Sequence, residues 1–268
     1  MSVRLAVLGA TGRMGGRVAE SAGPEVTLVG GIASAARGSD DAAGYPRIVT
    51  LAGAGSLLEE ADVVLDVSSP AALETFLRDH GRALRGRALV TGTTGVGEEI
   101  ARVLDELAGD VAVVRAANFA IGVALLRRLA RDLARRLDPA EWDVEIAELH
   151  HGAKEDAPSG TALALGRAVA EARGTPFEEV RRDGRSGRTG PRSAGEIGMH
   201  ALRGGTAAGE HRVAFLGPHE RIALVHAAED RALFARGALR ACRWVAGRPP
   251  GLYSMEDVLG LDEPADGT

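Results

Sequence analysis

Lysine is almost missing from this chain. Of 32 Lys plus Arg residues only Lys154 is lysine, which leaves 31 arginines. Cysteine is nearly absent too. Cys242 is alone, so no intrachain disulfide can form, and a reducing, cytoplasmic compartment is the simplest expectation. The start, MSVRLAVLGATG, lacks a secretory pattern because its apolar run is short and Gly-rich. No stretch reaches the roughly 20 apolar residues of a membrane span. There is no excess of positive charge. The formal net charge of -5 gives no general case for nucleic acid or membrane partners. Internal repeats and low-complexity tracts are absent as well.

What is present is ordinary globular composition: 268 residues, 45% hydrophobic and 26% charged. That length suits one large domain or two moderate ones. Over the first ~120 residues, short apolar runs alternate with helical patterns. Runs 3–8, 26–32, 62–68, 87–92 and 111–117 read as strands. Helices fit after Arg13, over 70–80 behind Pro70, and over 97–108. This alternation predicts an α/β fold with a parallel sheet. After Asn118 the pattern changes. Helices are expected over 121–137, 160–173 and 229–246. Strands are expected at 142–151 and in the block IGMHALRGG, EHRVAFLG and ERIALVHAA. Adjacent strands of this kind predict a mixed or antiparallel sheet in a second domain. Residues 183–195, DGRSGRTGPRSAG, read as a Gly- and Arg-rich loop.

GATGRMGG follows the first strand and opens a helix. Gly9, Gly12 and Gly15 give the spacing of a dinucleotide loop, in which backbone approaches pyrophosphate at a helix N-terminus. An acidic residue closing the second strand would hold the ribose of NAD. Here that place reads Gly31-Ile32-Ala33-Ser34-Ala35-Ala36-Arg37, without a carboxylate. Ser34 and Arg37 suit the extra phosphate of NADP, so a preference for NADPH is expected; a solvated Arg37 is the plain alternative. Two further stretches, Gly92-Thr93-Thr94-Gly95 and Ala116-Ala117-Asn118-Phe119, sit at carboxyl ends of expected strands, where open α/β sheets bind ligands. Asp66-Val67-Ser68-Ser69-Pro70 is a weaker third.

The chemistry is expected in ELHHGAKEDAPSGTA, 148–162. His150 and His151 are adjacent on a strand, so they point to opposite sides. Ser159 or Thr161 is placed to cap a following helix, whose first N–H groups near Gly160 and Thr161 attract an anion. Histidine exchanges protons near neutral pH, and lysine can lose its proton where arginine does not. Two histidines of a core or interface, and a surface lysine, are the plain alternatives. A metal site is disfavoured, since the pair lacks a third ligand at suitable spacing.

GATGRMG, GTTG, AANFAIGV and above all ELHHGAKEDAPSGTA resemble the 4-hydroxy-tetrahydrodipicolinate reductase (dihydrodipicolinate reductase) family, over essentially the whole chain. The resemblance implies a Rossmann-like dinucleotide-binding domain over 1–120, with 229–268 returning to it. It implies a C-terminal α+β domain over 121–228 that binds substrate and assembles a homotetramer. The implied reaction is reduction of a cyclic unsaturated dicarboxylate by NADPH or NADH with loss of water, on the diaminopimelate route to lysine. By position, His150 and Lys154 match the family's proton donors, and His151, Ser159, Gly160 and Thr161 fall in its substrate segment. Gly9, Ala10, Thr11, Gly12, Arg13 and Met14 match cofactor contacts, as do Gly92, Thr93, Thr94, Ala116, Ala117, Asn118 and Phe119. Gly152-Ala153 and Ser34 depart from common family members, which bears on secondary substrate contacts and on dual cofactor use. The loop 183–195 is a candidate lid over the site. Other two-domain NAD(P) reductases, or a dinucleotide-sensing regulator, are the competing readings; neither explains the His-His-x-x-Lys string.

Overall fold

The computed structural model describes residues 2–33 and 44–261. The chain divides into two units, Met1–Ile121 with Ala232–Thr268, and Gly122–Arg231. The first begins with β1 (Val3–Leu8), α1 (Arg13–Ser21), β2 (Val26–Ala33), β3 (Ile48–Thr50), α2 (Gly55–Leu58) and β4 (Val63–Asp66). It continues with α3 (Pro70–His80), β5 (Ala88–Thr91), α4 (Glu98–Leu107) and β6 (Ala112–Arg115). Every residue of β4 and β5 is buried, the continuous apolar signature of parallel strands covered on both faces. The punctuation matches: Ser69 accepts a hydrogen bond from the Ala72 N–H at 3.4 Å, and Pro70 takes the first turn of α3.

The second unit holds α5 (Ile121–Arg136), β7 (Asp143–His150), α6 (Gly160–Ala172), α7 (Phe177–Val180), β8 (Arg181–Asp183), β9 (Ile197–Arg203), β10 (Glu210–Leu216) and β11 (Arg221–Ala227). Its sheet runs β11-β10-β7-β9-β8. It is mixed: β10 is antiparallel to β7 and β11, whereas β7 is parallel to β9. Ile146, Val213 and Phe215 on one sheet face pack with Leu126 and Ala130 of α5 and Leu165 and Val169 of α6. On the opposite face Leu202 and Val225 remain 53% and 55% exposed.

The chain then returns to the first unit as α8 (Ala232–Val245), β12 (Gly251–Tyr253) and α9 (Met255–Val258). β12 adds in parallel to β6, completing the order β12-β6-β5-β4-β1-β2-β3. The inner face of α8 is small, with Ala235, Gly237, Ala238, Ala241 and Cys242 all buried. At Gly237 a side chain would collide with the Phe119 carbonyl, so glycine sets how closely α8 approaches. Burial pushes the Cys242 thiol pKa up, which makes it an inert core residue.

Three strands, β3, β8 and β12, went unread in the sequence. Each has three residues and lies at a sheet edge. So short an edge strand shows neither alternation nor a full apolar run. Strand β7 also ends at His150, one residue before the expected limit, because the His151 N–H turns to the Ala207 carbonyl at 3.0 Å.

Candidate active site

In the first unit the carboxyl ends of β1, β4, β5 and β6 converge. The turn after β1 is held by the Gly9 N–H bonded to the Ile32 carbonyl at 2.9 Å, and by the Gly12 N–H bonded to the Gly9 carbonyl at 2.9 Å. Gly9 has φ +88°, and an added Cβ would lie 2.8 Å from the Val67 carbonyl oxygen. At Gly15 a Cβ would overlap the Gly9 and Ala10 backbone, so α1 packs directly on the loop. Ala10 is buried, while Thr11 and Arg13 are half-buried and exposed. No side chain caps α1 at Gly12, which leaves the helix start to the backbone.

Beside this loop is a cavity of about 420 Å³ lined by Met14, Ser68, Thr93, Thr94, Asn118 and Phe119, among others. Ala117 also lines it, and Ala116 lies buried behind. Gly92 lacks a side chain where the Phe119 ring lies. The Asn118 side-chain Oδ1 accepts from the Ala120 N–H at 2.8 Å. Asp66 closes β4 as a fully buried carboxylate, accepting from the Ser68 hydroxyl at 2.5 Å and the Thr91 hydroxyl at 2.7 Å. Burial pushes its pKa up, against the hydrogen bonds from Ser68 and Thr91. The Thr93 hydroxyl is buried in the cavity wall and acts on the Asp66 carboxyl in the same direction as Ser68 and Thr91. A glycine cradle at a helix start, beside a cavity lined by hydroxyls and an amide, fits a dinucleotide. Ser34 and Arg37 lie outside the described residues.

In the second unit the end of β7 carries a charged network. Glu148 and His150 are two residues apart, so both face α6, while the strand end turns His151 elsewhere. The Glu148 side chain is fully buried and accepts from both Arg203 guanidinium nitrogens, each at 2.8 Å. It also accepts from the Ser159 N–H at 3.0 Å and contacts His150 Nδ1 at 2.5 Å. Burial works to raise the Glu148 pKa, but the hydrogen bonds from Arg203, His150 and Ser159 outweigh it and hold the carboxyl below its usual range. The His150 ring stands edge-on to that of His211, centroids 5.2 Å apart. Burial and the nearby His150 depress the His211 pKa to about 4, so His211 is neutral near pH 7.

Ser159 caps α6 by accepting from the Ala162 N–H at 3.1 Å, and its hydroxyl lies 3.0 Å from His211 Nε2. Gly160 and Thr161 form the first turn behind this cap. Ser159 itself is 2% exposed. With its hydroxyl engaged on both sides, it shapes the helix start. Lys154 Nζ bonds both Asp156 carboxylate oxygens, at 2.7 and 2.9 Å. The lone lysine is thus tethered, and its side chain is only 19% exposed. The loop 183–195 is fixed at both arms: Arg185 bonds Glu145 and Glu196, and Arg192 bonds Asp143 and Glu145. The stretch 186–191 between these arginines is exposed.

Sequence reading assigned no role to Glu148, Arg203 and His211, although Arg203 and His211 lie in the stretch Arg203…Gly209-Glu210-His211 that shares the family resemblance. Glu148 was legible, since the alternation that separates His150 from His151 places Glu148 beside His150. Arg203 and His211 were not, because strand order alone brings β9 and β10 to the flanks of β7.

Two family models match the chain, "Dihydrodipicolinate reductase, N-terminus" over residues 3–119 and "Dihydrodipicolinate reductase, C-terminus" over residues 122–259. The 4-hydroxy-tetrahydrodipicolinate reductase of Granulibacter bethesdensis is 45% identical over 260 residues, 97% of this chain and 98% of that protein. That of Rhodopseudomonas palustris is 46% identical over 270 residues, 97% of each. Among solved structures, the dipicolinate-bound dihydrodipicolinate reductase of Paenisporosarcina superposes with a TM-score of 0.74 at 26% identity, covering 95% of this chain and 98% of that one. An amine dehydrogenase from Mycobacterium smegmatis, 15% identical over 96% of each chain with a TM-score of 0.63, shares the fold.

Proposed function

Because the chain belongs to the dihydrodipicolinate reductase family, we propose that it reduces 4-hydroxy-tetrahydrodipicolinate to tetrahydrodipicolinate, on the diaminopimelate route to lysine. It is an oxidoreductase that uses a nicotinamide cofactor. The balance is substrate, NAD(P)H and one proton in; product, NAD(P)+ and water out. A bound nicotinamide dinucleotide supplies the hydride.

The observation that carries the reading is the grouping at the end of β7. An acid–base imidazole, a tethered ammonium and a helix N-terminus occur together on one short segment. The start of α6 at Gly160 and Thr161 attracts one substrate carboxylate, and Lys154 adds positive potential. His150 and Lys154 are the proton donors. His151 is a substrate contact, and Ser159 acts through the helix start. In the first unit, Gly9 to Met14 hold the pyrophosphate. Thr93, Thr94 and Asn118 hold the nicotinamide end, with Gly92 and Ala116 to Phe119 shaping the wall.

Finer readings extend this. Ser34 and Arg37 favour NADPH over NADH. The open face of the second sheet, with Leu202, Val225 and the small residues Ala223 and Ala227 exposed, supports self-assembly, here read as a homotetramer. The single Cys242 suits a reducing compartment, here read as the cytoplasm. The test is NADPH oxidation followed by absorbance, with and without the pathway substrate. Substrate-dependent oxidation is expected. Tight NADPH binding without it would replace the reductase reading with that of a dinucleotide-binding regulator.

A further inference from the structure

Glu148 has no solvent contact and no free lone pair. Oε1 accepts from Arg203 and from the Ser159 N–H, and Oε2 accepts from Arg203 and meets His150 Nδ1. Three separate segments therefore fix it: its own strand, β9 through Arg203, and the start of α6 through Ser159. The guanidinium is fixed in turn, since its Nη2 also donates to the Asp156 carbonyl at 2.6 Å. An ionised carboxylate only accepts hydrogen bonds, so the proton between Glu148 and His150 belongs to Nδ1. The neutral ring then carries its lone pair on Nε2. That atom lies where Gly209 has no side chain: a Cβ there would come within 2.9 Å of it.

We propose that Glu148 is a positioning residue that holds the His150 imidazole in its Nδ1–H form and aims Nε2 as the atom that gives and takes the proton. The role of Nε2 in turnover rests on the reductase reading; the tautomer does not. The charged and titratable groups facing His150 are Glu148 on its own strand, Arg203 of β9, His211 of β10, and Lys154 with Asp156 before α6. Of these, Glu148 hydrogen-bonds a ring nitrogen. His211 remains neutral near pH 7 and meets His150 only ring edge to ring face, so it does not compete for that proton.

The test begins without catalysis. The full-length protein is labelled with 15N-histidine, and the His150 ring signals are assigned with the His150→Asn variant. In the neutral ring, Nδ1 should show a protonated shift and Nε2 an unprotonated one. An Nε2–H form, or an even mixture, overturns the proposal. In Glu148→Gln the carboxamide N–H2 donates to Nδ1 and should reverse the tautomer. With the wild type active, kcat of that variant should fall by roughly 10²-fold while KM stays within about threefold, the split expected when proton transfer and not binding is impaired. Glu148→Asp, which keeps the charge, should recover part of the loss. A Glu148→Gln kcat within about fivefold of wild type overturns the proposal. If Glu148→Gln fails to fold, the wild-type tautomer decides the question alone. A wild type that leaves NADPH unoxidised in the presence of substrate counts against the reductase reading, and the nitrogen shifts still decide the role of Glu148.

Discussion

The two halves of the chemistry are built from opposite materials. In the first unit the site is backbone and small residues: a glycine cradle, strand ends, and hydroxyls around a cavity of about 420 Å³. In the second it is a network of charged and titratable side chains on three neighbouring strands, around a buried carboxylate. The first kind of site suits recognition of a shape and an anion; the second suits the placing of a proton. Substitutions should therefore fail differently. In the cradle a single methyl group is disruptive. In the network size matters less than charge and proton count.

The largest expected effect tests the network. Lys154→Arg keeps a cation but removes a dissociable proton, so kcat should fall by at least ~10²-fold, about 3 kcal/mol of barrier, while dipicolinate binding changes little. A kcat near wild type would refute proton donation. Next, Gly15→Ala forces a methyl group into the Gly9 and Ala10 backbone and should weaken NADPH binding by roughly 1–3 kcal/mol in a fluorescence titration. Dipicolinate affinity should be unchanged in that variant; if both ligands were lost together, the two sites would not be separable.

A smaller effect concerns pH. The folded-state pKa of His211 is depressed to about 4 from 6.5, so between those values the unfolded chain binds more protons. Its contribution to stability is complete above pH ~6.5 and is lost as pH falls toward ~4, with a slope of up to about 1.4 kcal/mol per pH unit. Urea midpoints across this window should flatten in His211→Asn, and an unchanged slope would contradict the assignment. Glu148 acts lower. Its depressed pKa makes its contribution complete above about 4.3 and lost below, as pH falls through the folded value. The smallest effect is cofactor choice. A several-fold higher kcat/KM with NADPH than with NADH is expected from Ser34 and Arg37, and a preference for NADH would remove that reading.

The same contrast explains what could be read beforehand. The cradle was legible because its information is local: three glycines at fixed spacing, a strand before and a helix after. Helix α3 was legible from Pro70, which acts within one turn; the cap at Ser69 emerged from the structure. The network was only half legible. His150, Lys154 and the cap at Ser159 lie within one short segment. Arg203 and His211 reach it through the order β10-β7-β9, which no local pattern encodes. Lys154 shows the limit most clearly. Its rarity marked the position, but its partner, Asp156, emerged from the turn that brings the two side chains together.

Hydride transfer to the ring is the central claim, and an isotope reports it directly. Using NADPH with deuterium at both nicotinamide C4 positions, mass spectrometry of the product should show one deuterium incorporated and one water lost per NADPH oxidised. Product without deuterium, or NADPH left intact beside unchanged substrate, would contradict the account.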